Sequence, residues 1–304
     1  MAAWKTIRIT KPCKLRIDNG NLVVEDDERR IKLSLPDTDS IIFEGDRFTL
    51  SAKVLAALSR HKVATLFCDE YYMPTAILHP YHQSSLATET LKAQLAMSDD
   101  FRDRLWAEII RTKITLQSEV LRYFTRSYSK VAAYTEHIRP GDPYKAEAKS
   151  ARIYWKELFG DLKREADSLD IRNQGLNYAY AILRSLITRD LSAAGFLPAL
   201  GLWHDNRYNA FNLSDDLMEP FRPIVDAAVY LLLSLHDDEY LTPELKRSII
   251  GIFDSEYLIF EGGISTLRSI SKRYIHGFKA AVKTQRVENL SYPSIDFERL
   301  RECF

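Results

Sequence analysis

The chain changes its hydrophobic period once, near residue 80, and this change limits the folds open to it. Up to about Ala76, apolar and polar residues alternate over short stretches that favour strands, and Asp18-Asn19-Gly20 is a turn signal between two of them. From about Ser84 onward, apolar residues recur every three to four positions over long segments, which is typical of helices. The sequence therefore predicts an α+β fold, with a β-rich domain over residues 1–78 and an all-helical domain over residues 79–304.

The predicted elements follow this division. Strands are predicted over residues 6–9, 13–17, 21–24, 30–35, 40–43 and 63–68, and a short helix over 51–61 with Ser51 as its cap. Met73-Pro74 and His79-Pro80 predict a linker, because proline interrupts regular structure. The later helices are predicted over residues 84–98, 101–136, 143–166, 171–194, 215–237, 242–253 and 264–284.

The composition excludes several classes of protein. Of the 304 residues, 46% are apolar and 28% are charged, which fits a large core beneath a water-facing surface. Three cysteines, Cys13, Cys68 and Cys303, are too few and too scattered for a disulfide framework or a zinc site. No apolar run reaches the length of a membrane span, and the first ten residues lack an apolar signal core. We therefore expect a cytoplasmic protein with no membrane partner.

One carboxylate, Glu147, falls where a helix should present apolar side chains. Asp142-Pro143 is a good helix start, with Asp as N-cap and Pro at the first helical position. At about 100° per residue, Glu147 lies roughly 40° from Ala151, inside the apolar stripe. Either Glu147 sits at the helix N-terminus and reaches solvent, or it is buried and needs a partner such as a metal ion.

A histidine and a close pair of acids follow in the segment 195–223. His204 precedes Asp216 and Glu219, and Asp226 extends the same flank of a predicted helix that Pro223 is expected to kink. Asp216 and Glu219 are spaced as a capping box, which is compatible with a metal site. Together with Asp226 they form either a solvated face or a wall that faces a metal ion. Imidazole nitrogen and carboxylate oxygen suit a divalent cation of the manganese–magnesium range.

Three blocks of sequence carry a family resemblance. Residues 147–154, Glu-Ala-Lys-Ser-Ala-Arg-Ile-Tyr, are similar to E-G-x-A-A-R-x-Y, and residues 173–183 are similar to N-x-x-L-N-Y-G-Y-x-I-L. The segment 195–223 is similar to G-L-D-P-x-x-G-x-x-H followed by D-L-M-E-x-F-R-P. On these blocks the chain resembles the CRISPR-associated integrase, the universal adaptation protein of CRISPR systems. It departs from the family pattern at Ala148, Ser150, Ala179 and Phe196-Leu197, none of which matches a metal ligand of the family.

The resemblance implies an activity and a site. In the family, a metal-dependent integrase and endonuclease inserts new spacers into a CRISPR array, as the 3′-hydroxyl of a DNA fragment attacks a phosphodiester of the repeat. The family's catalytic metal ligands match Glu147, His204 and Glu219, with Asp216 as an accessory, and the ion is Mg²⁺ or Mn²⁺. The implied partners are spacer-precursor and repeat DNA, a second copy bound through the β-rich domain, and a small ferredoxin-like adaptation protein.

The charge pattern indicates that any DNA-binding surface must consist of local clusters of basic residues. Lys plus Arg and Asp plus Glu both number 42, so the chain has no basic excess. Residues 264–286, however, contain no acid and carry the DNA-binding candidates Arg268, Lys272, Lys279, Lys283 and Arg286. A helix beginning near Phe101 is a second basic candidate. The alternative is that both segments are ordinary solvated helix faces.

Three functions remain open from the sequence. The first is the CRISPR integrase, and the second is a related metal-dependent nuclease that acts on branched DNA in repair or in a mobile element. The chemistry of the site does not separate these two, because the same site with water as nucleophile hydrolyses DNA. The third is a non-catalytic DNA-binding subunit, which all three predicted ligands argue against.

Overall fold

The computed structural model describes residues 5–45, 47–69, 74–78, 87–165 and 168–304. The strands of this part are β1 (Lys5–Ile9), β2 (Cys13–Asp18), β3 (Asn21–Glu25), β4 (Arg30–Ser34), β5 (Thr38–Phe43), β6 (Phe48–Leu50), β7 (Ala64–Cys68), β8 (Pro74–Leu78), β9 (Glu256–Phe260), β10 (Gly263–Thr266) and β11 (Ser294–Ile295). The helices are α1 (Ala52–Arg60), α2 (Ala87–Leu95), α3 (Asp99–Phe124), α4 (Ser129–Ala132), α5 (Ala146–Phe159), α6 (Ile171–Ala194), α7 (Asn212–Met218), α8 (Arg222–Ser234), α9 (Pro243–Ile252), α10 (Leu267–Thr284) and α11 (Phe297–Glu302).

Two four-stranded sheets make up the N-terminal part. One has the strand order β4-β3-β2-β6, and the other has the order β1-β5-β7-β8, in which β1, β5 and β7 run parallel. The predicted hairpin is confirmed, because Asp18 pairs with Asn21 and the two turn residues Asn19 and Gly20 have φ of 47° and 77°. A core of alternating apolar residues, with Leu22 and Ile41 fully buried, lies between these sheets and α1.

The long helices form the second part around a larger core. The helix α6 is buried along most of its length and packs against α8, α9 and α10. Its predicted bounds are confirmed, because Asp170 caps the N-terminus and Gly195, at φ 94°, ends the helix. None of the helices in the described segments is long and apolar enough to cross a membrane.

Three predictions about this part are wrong in detail. Residues 79–304 are not all-helical, since β9, β10 and β11 form a small antiparallel sheet beside α10. The predicted helix 101–136 ends at Phe124 because Arg126 takes a left-handed conformation with φ 62°. In the predicted linker, residues 74–78 form the strand β8, whereas Met73, His79 and Pro80 lie outside the described residues. The predicted division at residues 78 and 79 stays a prediction.

Candidate active site

Two predicted metal ligands meet at a buried lysine in the middle of α3. The Nζ atom of Lys113 lies 2.5 Å from Oε1 of Glu147 and 2.6 Å from Oε2 of Glu219. Lys113 is 7% exposed and Glu219 is 6% exposed, while the side chain of Glu147 keeps 31% of its surface. Glu147 therefore turns inward to an ion pair rather than out to open solvent.

The start of α5 fixes the position of Glu147. Asp142 accepts hydrogen bonds from the backbone N–H groups of Ala146 (2.8 Å) and Glu147 (3.0 Å), so its carboxylate satisfies two free donors of the first turn. The helix begins at Ala146, three residues later than predicted, because Lys145 has a left-handed backbone with φ 52°. Glu147 is consequently the second residue of α5, and its side chain reaches across to α3.

A break between two helices places Glu219. The helix α7 ends at Met218, one 3₁₀ turn covers Glu219–Phe221, and α8 starts at Arg222. Pro223 has no N–H to bond to the carbonyl of Glu219, so the α-helical pattern does not run through this point. Arg222 Nε lies 3.0 Å from Glu219 Oε1, and we call Lys113, Glu147, Glu219 and Arg222 the site cluster.

Opposing effects act on the ionisation of the site cluster. Burial acts to raise the pKa of Glu219, but the charges of Arg222 and Lys113 outweigh it, so the pKa of Glu219 is lowered. Burial likewise acts to lower the pKa of Lys113, but Glu219 and Glu147 outweigh it and the pKa is raised. Glu219 and Lys113 therefore each stabilise the charged form of the other.

His204 is held by Asp216 through a dense set of hydrogen bonds. The carboxylate of Asp216, which is fully buried, accepts from the backbone N–H groups of Leu202 (2.6 Å), Trp203 (3.0 Å) and His204 (3.2 Å). Its Oδ1 also lies 2.6 Å from Nδ1 of His204. The hydrogen bond that Asp216 accepts from the ring raises the pKa of His204. Because Nδ1 is committed to Asp216, Nε2 is the ring nitrogen open to another partner.

The loop before His204 is packed without room for a side chain. At Gly201, an added Cβ would collide with the carbonyl oxygen of His204 and would lie 2.8 Å from Asp216 Oδ2. The indole of Trp106, on α3, stacks on Trp203 at 5.5 Å between ring centroids and meets the ring of His204 edge-on at 5.7 Å. The imidazole therefore has a defined position, although 48% of its side chain is exposed.

The helix cap and the solvated face are both wrong as interpretations of these acids, whereas the metal-facing wall stays a prediction. Asp216 lies inside α7 rather than at its N-terminus, so it is not a helix cap, and it binds the preceding loop instead. Asp216, Glu219 and Asp226 are all buried, so they do not form a solvated face. Asp226 accepts hydrogen bonds from the hydroxyls of Tyr180 and Tyr154, and burial raises its pKa to about 6.

The donor set fits a divalent cation, although the three ligands are not arranged around a common point. Two carboxylates already converge on one positive charge, and the hydrogen bond at Nδ1 leaves Nε2 of His204 as a ligand. Oε2 of Glu219 is buried and faces the ammonium of Lys113 at 2.6 Å. Within the described residues, no three His, Cys, Asp or Glu side chains are close enough together to hold an ion.

One of the proposed DNA-binding cations is not on the surface. Arg268 is 4% exposed and contacts Asp39 Oδ2 at 2.5 Å and Asp254 at 2.7 Å, so the prediction that it belongs to an exposed basic face needs correction. Asp39 also receives Arg189 at 2.7 Å and Lys272 at 2.6 Å. We call Asp39, Arg189, Arg268 and Lys272 the junction cluster, because it joins β5 to α6 and α10.

The remaining basic candidates have freer charges. Lys279 donates to the carbonyl of Ala194 at 2.8 Å, and Lys283 is exposed beside Glu89 at 3.4 Å. Arg286 is exposed just beyond the end of α10. A cavity of about 480 Å³ opens next to Lys279, where the N-terminal sheet meets α6 and α10, and Lys62 also lines it. Lys279, Lys283 and Arg286 thus stay candidates for a phosphate-binding face.

Sequence reasoning missed Lys113, although its position carried a signal. Ile109, Ile110, Lys113 and Gln117 recur at helical spacing and are buried on the same side of α3. A lysine within such a stripe needs a carboxylate partner, because an unpaired buried ammonium is costly. The sequence places Lys113 among the basic residues of the helix near Phe101, and its burial removes it from any DNA-binding surface there.

Comparison with known proteins gives consistent matches along the chain. The family model described as "CRISPR associated protein Cas1" matches residues 7–239. The chain is 32% identical over 295 residues to a CRISPR-associated endonuclease Cas1 of Neisseria meningitidis serogroup C (strain 8013), and the match covers 96% of both chains.

Solved structures share the fold at low sequence identity. A casposase bound to its integration product matches with a TM-score of 0.75 and 18% identity, covering 94% of this chain and 92% of that one. A chain of a Cas6-RT-Cas1–Cas2 complex matches with a TM-score of 0.77 and 18% identity, covering 96% of this chain and 36% of that one.

Proposed function

The chain belongs to the Cas1 family of CRISPR-associated proteins, and from this we propose that it is a metal-dependent DNA integrase and endonuclease that inserts new spacers into a CRISPR array. The observation that carries the proposal is the convergence of Glu147 and Glu219 on one cation, 2.5 and 2.6 Å from Lys113 Nζ. The names of its relatives support the reaction class, since they include an endonuclease and a casposase bound to its integration product.

The proposed reaction is a transesterification at phosphorus. A DNA 3′-hydroxyl loses its proton and bonds to a phosphate of the repeat, while the existing bond from that phosphate to its leaving oxygen breaks. One phosphodiester forms for each one broken, so the step needs no external energy source. Water in place of the 3′-hydroxyl gives hydrolysis, and for this reason one site accounts for both integrase and endonuclease activities.

Each residue has a part in this scheme. Glu147 and Glu219 supply hard oxygen ligands, Nε2 of His204 supplies nitrogen, and Asp216 keeps the imidazole oriented as an accessory residue. A divalent ion held by this set would polarise the phosphoryl oxygen and offset the charge of the transition state. The oxygen ligands accept Mg²⁺, and the nitrogen ligand shifts the preference towards Mn²⁺. Arg222 keeps Glu219 ionised and thus able to act as a ligand.

The proposed partners follow from the same family membership. They are spacer-precursor DNA, repeat and leader DNA, a second copy bound through residues 1–78, and a small ferredoxin-like adaptation protein. The likeness to a chain of the Cas6-RT-Cas1–Cas2 complex supports a second Cas protein as a partner. Light scattering of the purified full chain tests the dimer, and we expect twice the mass of one 35.1 kDa chain.

A strand-joining assay tests the activity. It combines DNA with a free 3′-hydroxyl, a repeat-containing target, the adaptation partner and Mn²⁺. We expect Glu219→Ala to lower the joining rate by about a thousandfold or more, because it removes a metal ligand. DNA affinity should change by less than about twofold, because the carboxylate contacts no phosphate.

Controls make this result specific. Glu244→Ala removes an exposed acid of α9 and should leave joining unchanged. Chelation of the metal should stop joining, and added Mn²⁺ or Mg²⁺ should restore it. Full joining by Glu219→Ala, or joining that persists in chelator, would refute the proposed metal-dependent function.

A further inference from the structure

Lys113 makes the same kind of contact that a bound cation would make. Its Nζ lies 2.5 Å from Glu147 on α5 and 2.6 Å from Glu219 on the 3₁₀ turn before α8, so one ammonium joins carboxylates from two elements. Both of these carboxylates are proposed metal ligands. Lys113 is itself 7% exposed and is fixed on the inner side of α3.

The charges of the site cluster balance without any added ion. Glu147 and Glu219 carry two negative charges, while Lys113 and Arg222 carry two positive charges. A divalent cation between the two carboxylates would leave this buried group with an excess of two positive charges, which is unfavourable in a medium of low polarity. An ion that binds to these oxygens would therefore compete with the protein cations that already contact them.

Lys113 is the cation that can move. Arg222 approaches Oε1 of Glu219 from the opening turn of α8, and its guanidinium also lies over the ring of Tyr180, 4.9 Å from the centroid. Lys113 occupies the space shared by both carboxylates on a four-carbon chain that rotates readily. Its ammonium and a divalent ion therefore compete for the same oxygens.

We propose that Lys113 is a built-in counter-ion, which holds Glu147 and Glu219 together in the metal-free protein and which a divalent cation must displace in order to bind. Lys113 is a positioning residue in this scheme. It prevents the two buried carboxylates from repelling each other before the ion arrives, and it sets the metal concentration at which the site fills. The inference rests on the proposed function, because it takes Glu147 and Glu219 to be metal ligands.

The test compares two lysine-to-methionine variants of the full chain in the absence of DNA. Lys113→Met removes the ammonium from the site cluster and keeps an unbranched apolar side chain. Lys272→Met is the matched control, because Lys272 pairs with a buried carboxylate of the junction cluster at a similar distance of 2.6 Å. Melting temperature is measured with and without Mn²⁺, and Mn²⁺ affinity is measured by calorimetric titration.

Only Lys113→Met is expected to change the binding of Mn²⁺. Lys113→Met should melt at a lower temperature than wild type without metal, and its Mn²⁺-induced rise in Tm should be at least about twice that of wild type. Its Kd for Mn²⁺ should fall by about tenfold or more, since the competing cation is gone. Lys272→Met should keep the Mn²⁺ affinity and the Mn²⁺-induced Tm rise of wild type.

Every outcome bears on the proposal. If Lys113→Met binds Mn²⁺ with the affinity of wild type or more weakly, Lys113 is no competitor and the inference fails, while the proposed function stands as long as wild type binds Mn²⁺. If Lys113→Met is unfolded without metal, saturating Mn²⁺ should refold it, and a chain that stays unfolded overturns the inference. If neither protein binds Mn²⁺, the metal site of the proposed function fails instead.

Discussion

The site cluster and the junction cluster use the same chemical groups in different proportions. In the junction cluster a single carboxylate, Asp39, receives three cations, and both of its oxygens accept hydrogen bonds. In the site cluster a single ammonium is shared by two carboxylates, and it lies 2.5 Å from Oε1 of Glu147 and 2.6 Å from Oε2 of Glu219.

This difference suits the junction cluster to a structural role and the site cluster to the exchange of its ammonium for a metal ion. A carboxylate whose oxygens are all used has nothing to gain from another cation, so the junction cluster serves to fix β5 against α6 and α10. Two carboxylates that share one monovalent cation do gain from a cation of higher charge. Changes in the junction cluster should therefore affect stability, and changes in the site cluster should affect metal binding and catalysis.

The largest expected effect on stability is that of Asp39→Asn. Removing this charge leaves the buried Arg189 and Arg268 without their shared partner, and we expect a loss of about 3–5 kcal/mol in the free energy of unfolding. Urea denaturation at pH 7.5 measures it. Mn²⁺ affinity should not change, and a marked weakening of Mn²⁺ binding by Asp39→Asn would end the separation between the two clusters.

The same loss should depend on pH in a known direction. Burial acts to raise the pKa of Asp39, but Arg189, Arg268 and Lys272 outweigh it and hold the pKa well below its usual range. A lowered folded-state pKa contributes stability above the unfolded pKa of about 4, and this contribution is lost as the pH falls below that value. The difference between wild type and Asp39→Asn should accordingly shrink when denaturation is repeated near pH 3.

Asp226→Asn should stabilise the fold, whereas Asp39→Asn should destabilise it. The pKa of Asp226 is raised to about 6 in the fold, against about 4 in the unfolded chain, so ionisation of this carboxyl costs stability above pH 6. We expect the free energy of unfolding of Asp226→Asn to be about 1–3 kcal/mol higher than that of wild type at pH 8. At pH 4.5 the advantage should be mostly lost, and an advantage independent of pH would contradict the assignment.

Asp216→Ala should have a smaller effect on joining than Glu219→Ala. Asp216 orients His204 without being assigned as a ligand, and we expect joining and Mn²⁺ affinity to fall by about 10–100-fold. Asp216→Asn is the informative companion, because its side-chain oxygen still accepts hydrogen bonds from the loop. A loss of joining by Asp216→Ala that exceeds the loss by Glu219→Ala would exchange the two roles.

The smallest expected effect is that of two lysines on α10 that belong to neither cluster. Lys279→Ala with Lys283→Ala should weaken DNA binding regardless of sequence, and the slope of log affinity against log salt should fall by about one unit for each lysine–phosphate ion pair that the substitutions remove. Lys14→Ala with Lys53→Ala, two exposed lysines of the β-rich part, is the matched control. An unchanged slope in the α10 variant would mean that this face is merely solvated.

The parts of the fold that sequence could predict are those whose boundaries are set locally. The helix α6 has its cap, Asp170, and its terminator, Gly195, next to it in the sequence. The small sheet of β9 to β11 was missed, although Glu261-Gly262 forms its turn, because β11 is contributed by residues about thirty positions further on. Strands that pair across such a separation give no periodic pattern in the local sequence from which the sheet could be predicted.

The site shows a similar limit. The residues Glu147, His204 and Glu219 were identified from residue type and from the resemblance, and their assignment as ligands stays a prediction. The helical spacing of Lys113 indicates burial, but its pairing with Glu147 was not identified, because an ion pair between α3 and α5 depends on packing that spacing does not encode. Arg268 was misjudged for the same reason, since the carboxylate that buries it is on β5, over two hundred residues away.

The tight packing at Gly201 has a thermodynamic consequence for ion capture. Because the carbonyl oxygen of His204 and the carboxylate of Asp216 leave no space for even a methyl group there, the imidazole is already fixed before any ion arrives. An unrestrained side chain would lose on the order of 1 kcal/mol of rotational entropy on becoming a ligand. The hydrogen bond to Asp216 already restricts the imidazole in the folded protein, so an ion that bound to Nε2 would lose little further entropy in ordering it.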